Sequence, residues 1–458
     1  MRCRSIAFWG PLLASTIAVS TASANGRFPA AGQLVFGPDD PSILAIRATF
    51  GVLVSRDSGK TWDWICEKAM GYGGSIEDPS IALTSGPGLL VGTQEGLATS
   101  GDACNWTLFP SLGSPILDLV VKKDDSKSAI AIVAVAGKVD DAGNATYQNI
   151  LYVTKDSGVT WAPLGAPIDP LLLVQTVEVA KSDPHRIYVS GTSYRANGAD
   201  AVILMSTDDG AHFVRHTFPL ADNEVAPFIS AVDPTNADRV YIRVQSSGGS
   251  RLVVSDDGGV TFKDKFTTTG PMLGFALSED GSKVYLGGIE DGLFEASRTD
   301  LAFTQKSKTQ AQCLVVNHGV LYACSNENSG FAIGTSTDDG ATFTPLLHLG
   351  CVRGALTCAS ADASANQCAA DFPALQATLG VCGPTIVDSG APDGAIDASA
   401  IAPDSGSGNS KDGGGTDGGG PADNGGGPSG GCSTSGAPAS FAVLSILGLA
   451  ALGLRRRR

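Results

Sequence analysis

Ser55-Arg56-Asp57-Ser58-Gly59-Lys60-Thr61-Trp62 decides how this chain folds. It comes after an apolar run at 51–55 and has the form Ser/Thr-x-Asp-x-Gly-x-Thr-aromatic. Its residue types are those of a tight corner between two strands. An Asp carboxylate can accept backbone N–H groups inside its own turn, and Gly can take positive φ without steric penalty. The closing aromatic then tucks under the corner. Four more full copies occur: Thr154 to Trp161 around Asp156, Ser206 to Phe213 around Asp208, Ser255 to Phe262 around Asp257, and Ser336 to Phe343 around Asp338. Two weaker copies fill the gaps. One is Ser100-Gly101-Asp102-Ala103-Cys104-Asn105-Trp106, a residue short, and the other is Ser297-Arg298-Thr299-Asp300-Leu301-Ala302-Phe303.

The closing aromatics stand at 62, 106, 161, 213, 262, 303 and 343, so successive copies lie 40 to 55 residues apart. A period near 40–50 residues is that of four-stranded propeller blades. The first unit reads as strands at 33–37, 43–47, 51–55 and 62–66, and the last as strands at 312–317, 320–325, 330–335 and 342–349. In each, the corner joins the third strand to the fourth. The pattern predicts an all-β, seven-bladed β-propeller over 25–350, since a radial ring leaves only short, protected sheet edges. Two packed β-sandwiches are the alternative, and the regular spacing disfavours them. Both end units look complete in themselves, so no strand is exchanged to close the ring. Closure then rests on packing or on the segment after the last blade.

The ends read as address labels. Residues 1–24 carry Arg2 and Arg4, an apolar run and Ala22-Ser23-Ala24, the layout of a secretory signal peptide. Residues 383–431 hold 16 Gly among 49 residues and no aromatic side chain. Such a segment cannot bury enough apolar surface to offset its ordering entropy and reads as a disordered tether. The uncharged stretch 437–454 is long enough for a short transmembrane helix, and Arg455, Arg456, Arg457 and Arg458 come directly after it.

The chain has 31 basic and 46 acidic side chains, a net charge of −15. Taking away 1–24 and 433–458 removes six arginines and no acids, leaving 25 against 46, or −21. That balance argues against a nucleic-acid partner, which needs a positive surface. Apart from Cys3 and Cys432, eight cysteines remain: Cys66, Cys104, Cys313, Cys324, Cys351, Cys358, Cys368 and Cys382. In an exported chain an even set reads as disulfides. Cys313 and Cys324 flank a two-residue turn at His318-Gly319 and fall opposite each other. Cys66 and Cys104 lie at the ends of neighbouring blades, positioned to join them. The last four form a disulfide-rich module over 351–382, where two bridges are expected. No metal site or cofactor is expected, for there is no CxxC spacing and the histidines at 185, 212, 216, 318 and 348 have no ligand spacing.

The recurring corner is similar to the Asp-box, or BNR repeat, of sialidase- and sortilin-like propellers. Asp57, Asp102, Asp156, Asp208, Asp257, Asp300 and Asp338 are then structural residues, not catalytic ones. The order Gly431-Cys432-Ser433, apolar span and Arg cluster resembles the MYXO-CTERM sorting signal, over 432–458. That resemblance implies processing by a sorting protease at the membrane near Cys432 and attachment at the cell surface. Sialidases place an Arg-Ile-Pro motif before the first box; here Arg27-Phe28-Pro29 stands there, with Arg47 downstream. The resemblance would make Arg27 and Arg47 candidate substrate-carboxylate ligands of a sialidase-like glycoside hydrolase. Such an enzyme also needs further arginines, a Tyr–Glu nucleophile pair and a general acid. Arg186, Arg195, Arg239, Arg243, Arg251, Tyr188, Tyr194, Tyr241 and Glu224 are available in number, but nothing in the sequence places them on one face. Sortilin-type receptors and the photosystem II assembly factor use similar propellers to bind peptides or proteins. The leading expectation is therefore a non-enzymatic platform for an extracellular protein or glycan ligand. The irregular loop around 65–79 and the inserts 137–147 and 191–200 are its candidate contact surfaces; Asp140, Asp141 and Asn144 offer oxygens to Ca²⁺, but their spacing matches no defined loop.

Overall fold

The computed structural model describes residues 28–73, 78–86, 88–195 and 198–383. Within them lie seven four-stranded antiparallel sheets, each made of consecutive strands. The first strands of the sheets are Ala31–Phe36, Ser80–Leu83, Ile116–Val121, Leu173–Val179, Glu224–Val232, Met272–Leu277 and Cys313–Asn317. Each of these packs against the first strand of the next sheet, and Cys313–Asn317 packs back against Ala31–Phe36. They form the inner ring of a closed seven-bladed propeller. Second strands such as Ala129–Ala136 and Val240–Ser246 are mostly buried, because neighbouring blades cover both faces. The expected strands of the first and last units fall within a few residues of those observed.

Among the described residues no strand is exchanged between the first and last blades, and the seam is closed from outside. After the last strand, Thr344–Leu347, the chain returns to the outer edge of blade 1. Trp64 pairs in parallel with Ala355. The Arg353 and Leu356 N–H groups donate to Trp62 O and Trp64 O at 2.9 and 2.7 Å, and Trp64 N–H donates to Gly354 O at 2.8 Å. Arg353 grips Asp63 through two charge-assisted hydrogen bonds of 3.1 and 2.6 Å. Blade 1 thus gains a short fifth edge segment from the far end of the ring, which covers an otherwise open strand edge. Beyond it lie a 3₁₀ turn, Ser364–Ala370, and an α-helix, Phe372–Leu379.

The cysteines correct two expectations. Cys313 pairs with Cys324 across a register-matched strand pair, as the turn implied. Cys66 and Cys104, however, do not join each other. They pair with Cys368 and Cys358, 302 and 254 residues away. The module therefore has one internal bridge, Cys351–Cys382, instead of two. The returning edge segment is the cause, since it carries Cys358 and Cys368 to the outer ends of blades 1 and 2. The result is a clasp holding the last blade's continuation to the first two. The signal peptide read at 1–24, the sorting signal read at 432–458 and nearly all of the tether lie outside the described residues. Among the described residues no helix is long and apolar enough to cross a membrane.

Candidate functional site

Five of the seven corners share one geometry. In the first, Ser55 Oγ donates to Asp57 Oδ1 at 2.8 Å and accepts Gly59 N–H at 2.9 Å. Asp57 Oδ1 accepts Thr61 N–H at 2.9 Å, and Oδ2 accepts the Thr61 hydroxyl at 2.6 Å. The same set recurs around Asp156, Asp257 and Asp338. At Asp208 the His212 ring replaces the Thr hydroxyl, at 2.7 Å. The two weaker copies depart from it. Asp102, in the shortened corner, accepts the N–H groups of Cys104 and Asn105 and the Asn105 side chain. Asp300 accepts Ala302 N–H at 3.1 Å. The Thr61 and Thr342 hydrogen bonds hold the Asp57 and Asp338 carboxyls down at about 2. These carboxylates are consumed within their own turns.

Two features of the corners escape the sequence pattern. The residue after each Asp is left-handed: Ser58, Ala103, Ser157, Asp209, Leu301 and Asp339 have φ of 54 to 65°, and blade 5 has Gly258 there. A side chain in that region costs roughly 1–2 kcal/mol. In return the backbone docks on the same blade, with Ser58 N–H donating to Ser42 O and Ser157 N–H to Lys127 O, both at 2.9 Å. Asp339 also reaches the preceding blade, where Lys283 Nζ and the Tyr285 hydroxyl meet it at 2.6 and 2.7 Å. The second feature is the glycine's face. A Cβ on Gly340 would lie 1.9 Å from Leu293 of the preceding blade, so Gly is needed there for space as well as for its φ of 83°. Of the closing aromatics only Trp62 is fully buried; Trp106, Trp161, Phe213, Phe262, Phe303 and Phe343 are half-buried.

The candidate enzyme residues do not converge. Arg27 lies outside the described residues. Arg47 is half-buried and donates to Gly32 O at 2.9 Å and Asp78 O at 3.3 Å. Arg251 clamps Glu224 at 2.7 and 2.6 Å and also meets Asp264. Arg186 pairs with Asp238, and Arg239 with Asp256. Tyr188 donates to Ala237 O at 2.7 Å. Tyr241 lies beneath Arg239, 5.6 Å from ring centroid to guanidinium carbon. Arg186 reaches from blade 4 to blade 5, whereas Arg239 and Arg251 are each held by a different acid within blade 5.

The expected contact loops also differ from their reading. The loop after blade 1 forms a 3₁₀ turn, Glu67–Met70, whose Ala69 and Met70 are buried. Lys68 there pairs with Asp371 of the module at 2.6 Å, so this loop is the module's bed and not a free surface. Much of the 191–200 insert is strand, from the long hairpin of Ile187–Arg195 with Gly198–Ser206. In the 137–147 insert, Asp140 accepts the N–H and side-chain amide of Asn144 at 2.7 and 2.9 Å, closing its own turn. Among the described residues no group of three or more His, Cys, Asp or Glu side chains gathers as a metal site.

Two sites near the inner ring were not read from the sequence as sites, although Arg243 was counted among the arginines. Asp118 and Glu178 lie on neighbouring inner strands, and Val177 N–H donates to Asp118 at 3.0 Å. Burial pushes their carboxyls up to about 7 and about 8, and Asp118 adds to the rise at Glu178. The second is Arg243, over the Phe228 ring at 5.1 Å, beside a cavity of about 180 Å³ among the inner strands of blades 4, 5 and 6. The available signal was a lone charge inside an apolar strand.

No protein-family model matches the chain, and no curated protein matches it. Solved structures that resemble it include an ancestral GH74 enzyme, at 13% identity and a TM-score of 0.44, covering 72% of this chain and 55% of that one. The chain thus spans about half that enzyme's length. The Cps50 (Swd1) β-propeller domain from Myceliophthora thermophila, at 12% identity and 0.42, covers 67% and 96%. The Dos1 propeller, at 14% and 0.44, covers 68% and 81%.

Proposed function

We propose that this chain is an exported Asp-box propeller, held at a cell envelope, that works as a non-enzymatic binding platform for an extracellular protein or glycan. The carrying observation is the clasp: Cys66–Cys368 and Cys104–Cys358 bridge 302 and 254 residues to fix the ring's end on its beginning. Bridges of that kind belong to oxidising compartments. They suit a rigid disc that presents a fixed surface, the usual support for recognition loops. The shared Asp–Thr hydrogen bonds support the Asp-box assignment. The signal peptide at 1–24, the tether and the MYXO-CTERM-type tail with Cys432 as its processing residue complete the reading. Its partners are the ligand, a sorting protease and the membrane at the tail. Arg186, Arg239 and Arg251 each face a different acid, which weighs against the sialidase-like alternative.

One experiment separates the two. The purified protein is offered a fluorogenic sialoside and, in parallel, a glycan array and a panel of envelope proteins. Saturable binding without turnover is expected. Turnover that Arg27→Ala or Arg47→Ala abolishes would establish the hydrolase instead.

A further inference from the structure

We propose that the cavity beside Arg243 is a carboxylate-binding site. Arg243 stands on Val240–Ser246, the second strand of blade 5, opposite Phe228 of the inner strand. Its Nη1 donates to Met272 O at 2.6 Å, and the guanidinium lies over the Phe228 ring. Among the described residues its Nε and Nη2 meet no acceptor. Six other described arginines differ, while Arg56 likewise donates to a main-chain carbonyl, that of Asp102. Arg186, Arg215, Arg239, Arg251, Arg298 and Arg353 each pair with a carboxylate.

A partly desolvated guanidinium without a counter-ion is costly in a chain that carries an excess of acids elsewhere. Burial lowers Arg243 to about 10, which still leaves it charged at neutral pH. The cavity beside it is lined by Phe228, Ser230, Leu273, Phe275 and Thr176. Thr176 is already committed: its hydroxyl meets Ser190 at 2.7 Å and accepts Ile229 N–H at 2.9 Å. Ser230 has no partner for its hydroxyl among the described residues. The open donors are therefore the outer edge of the guanidinium and one serine, set against two phenyl rings and a leucine.

That donor set selects a carboxylate on a compact apolar body. The guanidinium edge offers two parallel donors to its oxygens, and the rings take the apolar part. The volume suits a small organic acid or a single acidic side chain of a larger partner. The two sources share one chemistry and are told apart by probe. This site rests on the platform reading and gives it a ligand class.

The test is calorimetry and saturation-transfer NMR on the full chain with benzoate, benzyl alcohol and a capped peptide carrying one Glu. Benzoate is expected to bind and benzyl alcohol not to. Binding of benzoate alone assigns a free acid, and binding of the peptide as well assigns an acidic side chain. Arg243→Gln should weaken whichever acid binds by about tenfold or more, the loss of a charge-assisted hydrogen bond. Should that variant melt far below the unaltered chain, Ser230→Val, which removes the serine donor and narrows the cavity while leaving the guanidinium, is expected to weaken binding with melting unchanged. Failure of both acids to bind, or equal affinity in the folded variant, overturns the site. If macromolecular capture survives while benzoate fails, only this site falls. If benzoate binds while capture fails, the platform reading falls and the site stands.

Discussion

Asp57 at the rim of the propeller and Glu178 on its inner ring carry the same functional group in opposite states. Asp57 sits in a turn that supplies it with Thr61 N–H and hydroxyl donors, and its carboxyl is held at about 2. Glu178 faces burial and a second acid, Asp118, and is pushed up to about 8. A carboxylate is stabilising where donors converge on it and costly where they do not. The rim acids fasten corners, whereas the inner pair is tolerated near the ring's centre at an energetic cost.

The strongest way to break this contrast is to attack the rim's packing. Gly340→Ala places a methyl group against Leu293 and forces a side chain into positive φ, so we expect a loss of about 3 kcal/mol or more, read as a lower denaturant midpoint. Stability unchanged within error would mean that the corner does not seat on the preceding blade.

Next comes pH. Raised carboxyl pKa values bind protons more tightly in the folded state, so the inner pair costs stability as pH climbs from about 4 toward 8. Glu178→Gln should therefore add about 2 kcal/mol near pH 9 and almost nothing near pH 5, measured by chemical denaturation at both values. The rim acids act with the other sign. Their contribution is complete above about 4 and is lost as pH falls toward 2. An identical pH profile for the Gln variant and the unaltered chain would end the distinction.

The smallest effect is expected at Ser58, whose φ is 61°. Ser58→Gly relieves the left-handed side chain, as blade 5 already does with Gly258, and should gain at most about 1 kcal/mol in thermal melting. A loss of that size would show that the serine side chain matters to the corner.

How much of this was legible in the sequence depends on where the interactions close. Ser55, Asp57, Gly59 and Thr61 complete their hydrogen bonds within eight residues, so the corner is written locally and its repetition gives the blades. The left-handed position after Asp was not legible, because six different corners tolerate Ser, Ala, Asp or Leu there and only one uses Gly. Cys313–Cys324 was legible because a two-residue turn sets the register between them. Cys66 and Cys104 were misassigned because their partners arrive from the other end of the ring. Arg47 and Glu224 looked available as site residues until their backbone and arginine partners were seen.

The sequence by itself determined the seven corners and the strand on either side of each. Tertiary structure alone decided that the chain's end closes the seam along the edge of blade 1, that the bridges span the ring, and that Arg243 is left without an acid beside a cavity. The reason is range. A hydrogen-bonded turn is specified by the residues it contains, whereas a seam, a long-range disulfide and an inner-ring cavity exist only once blades hundreds of residues apart have been brought together.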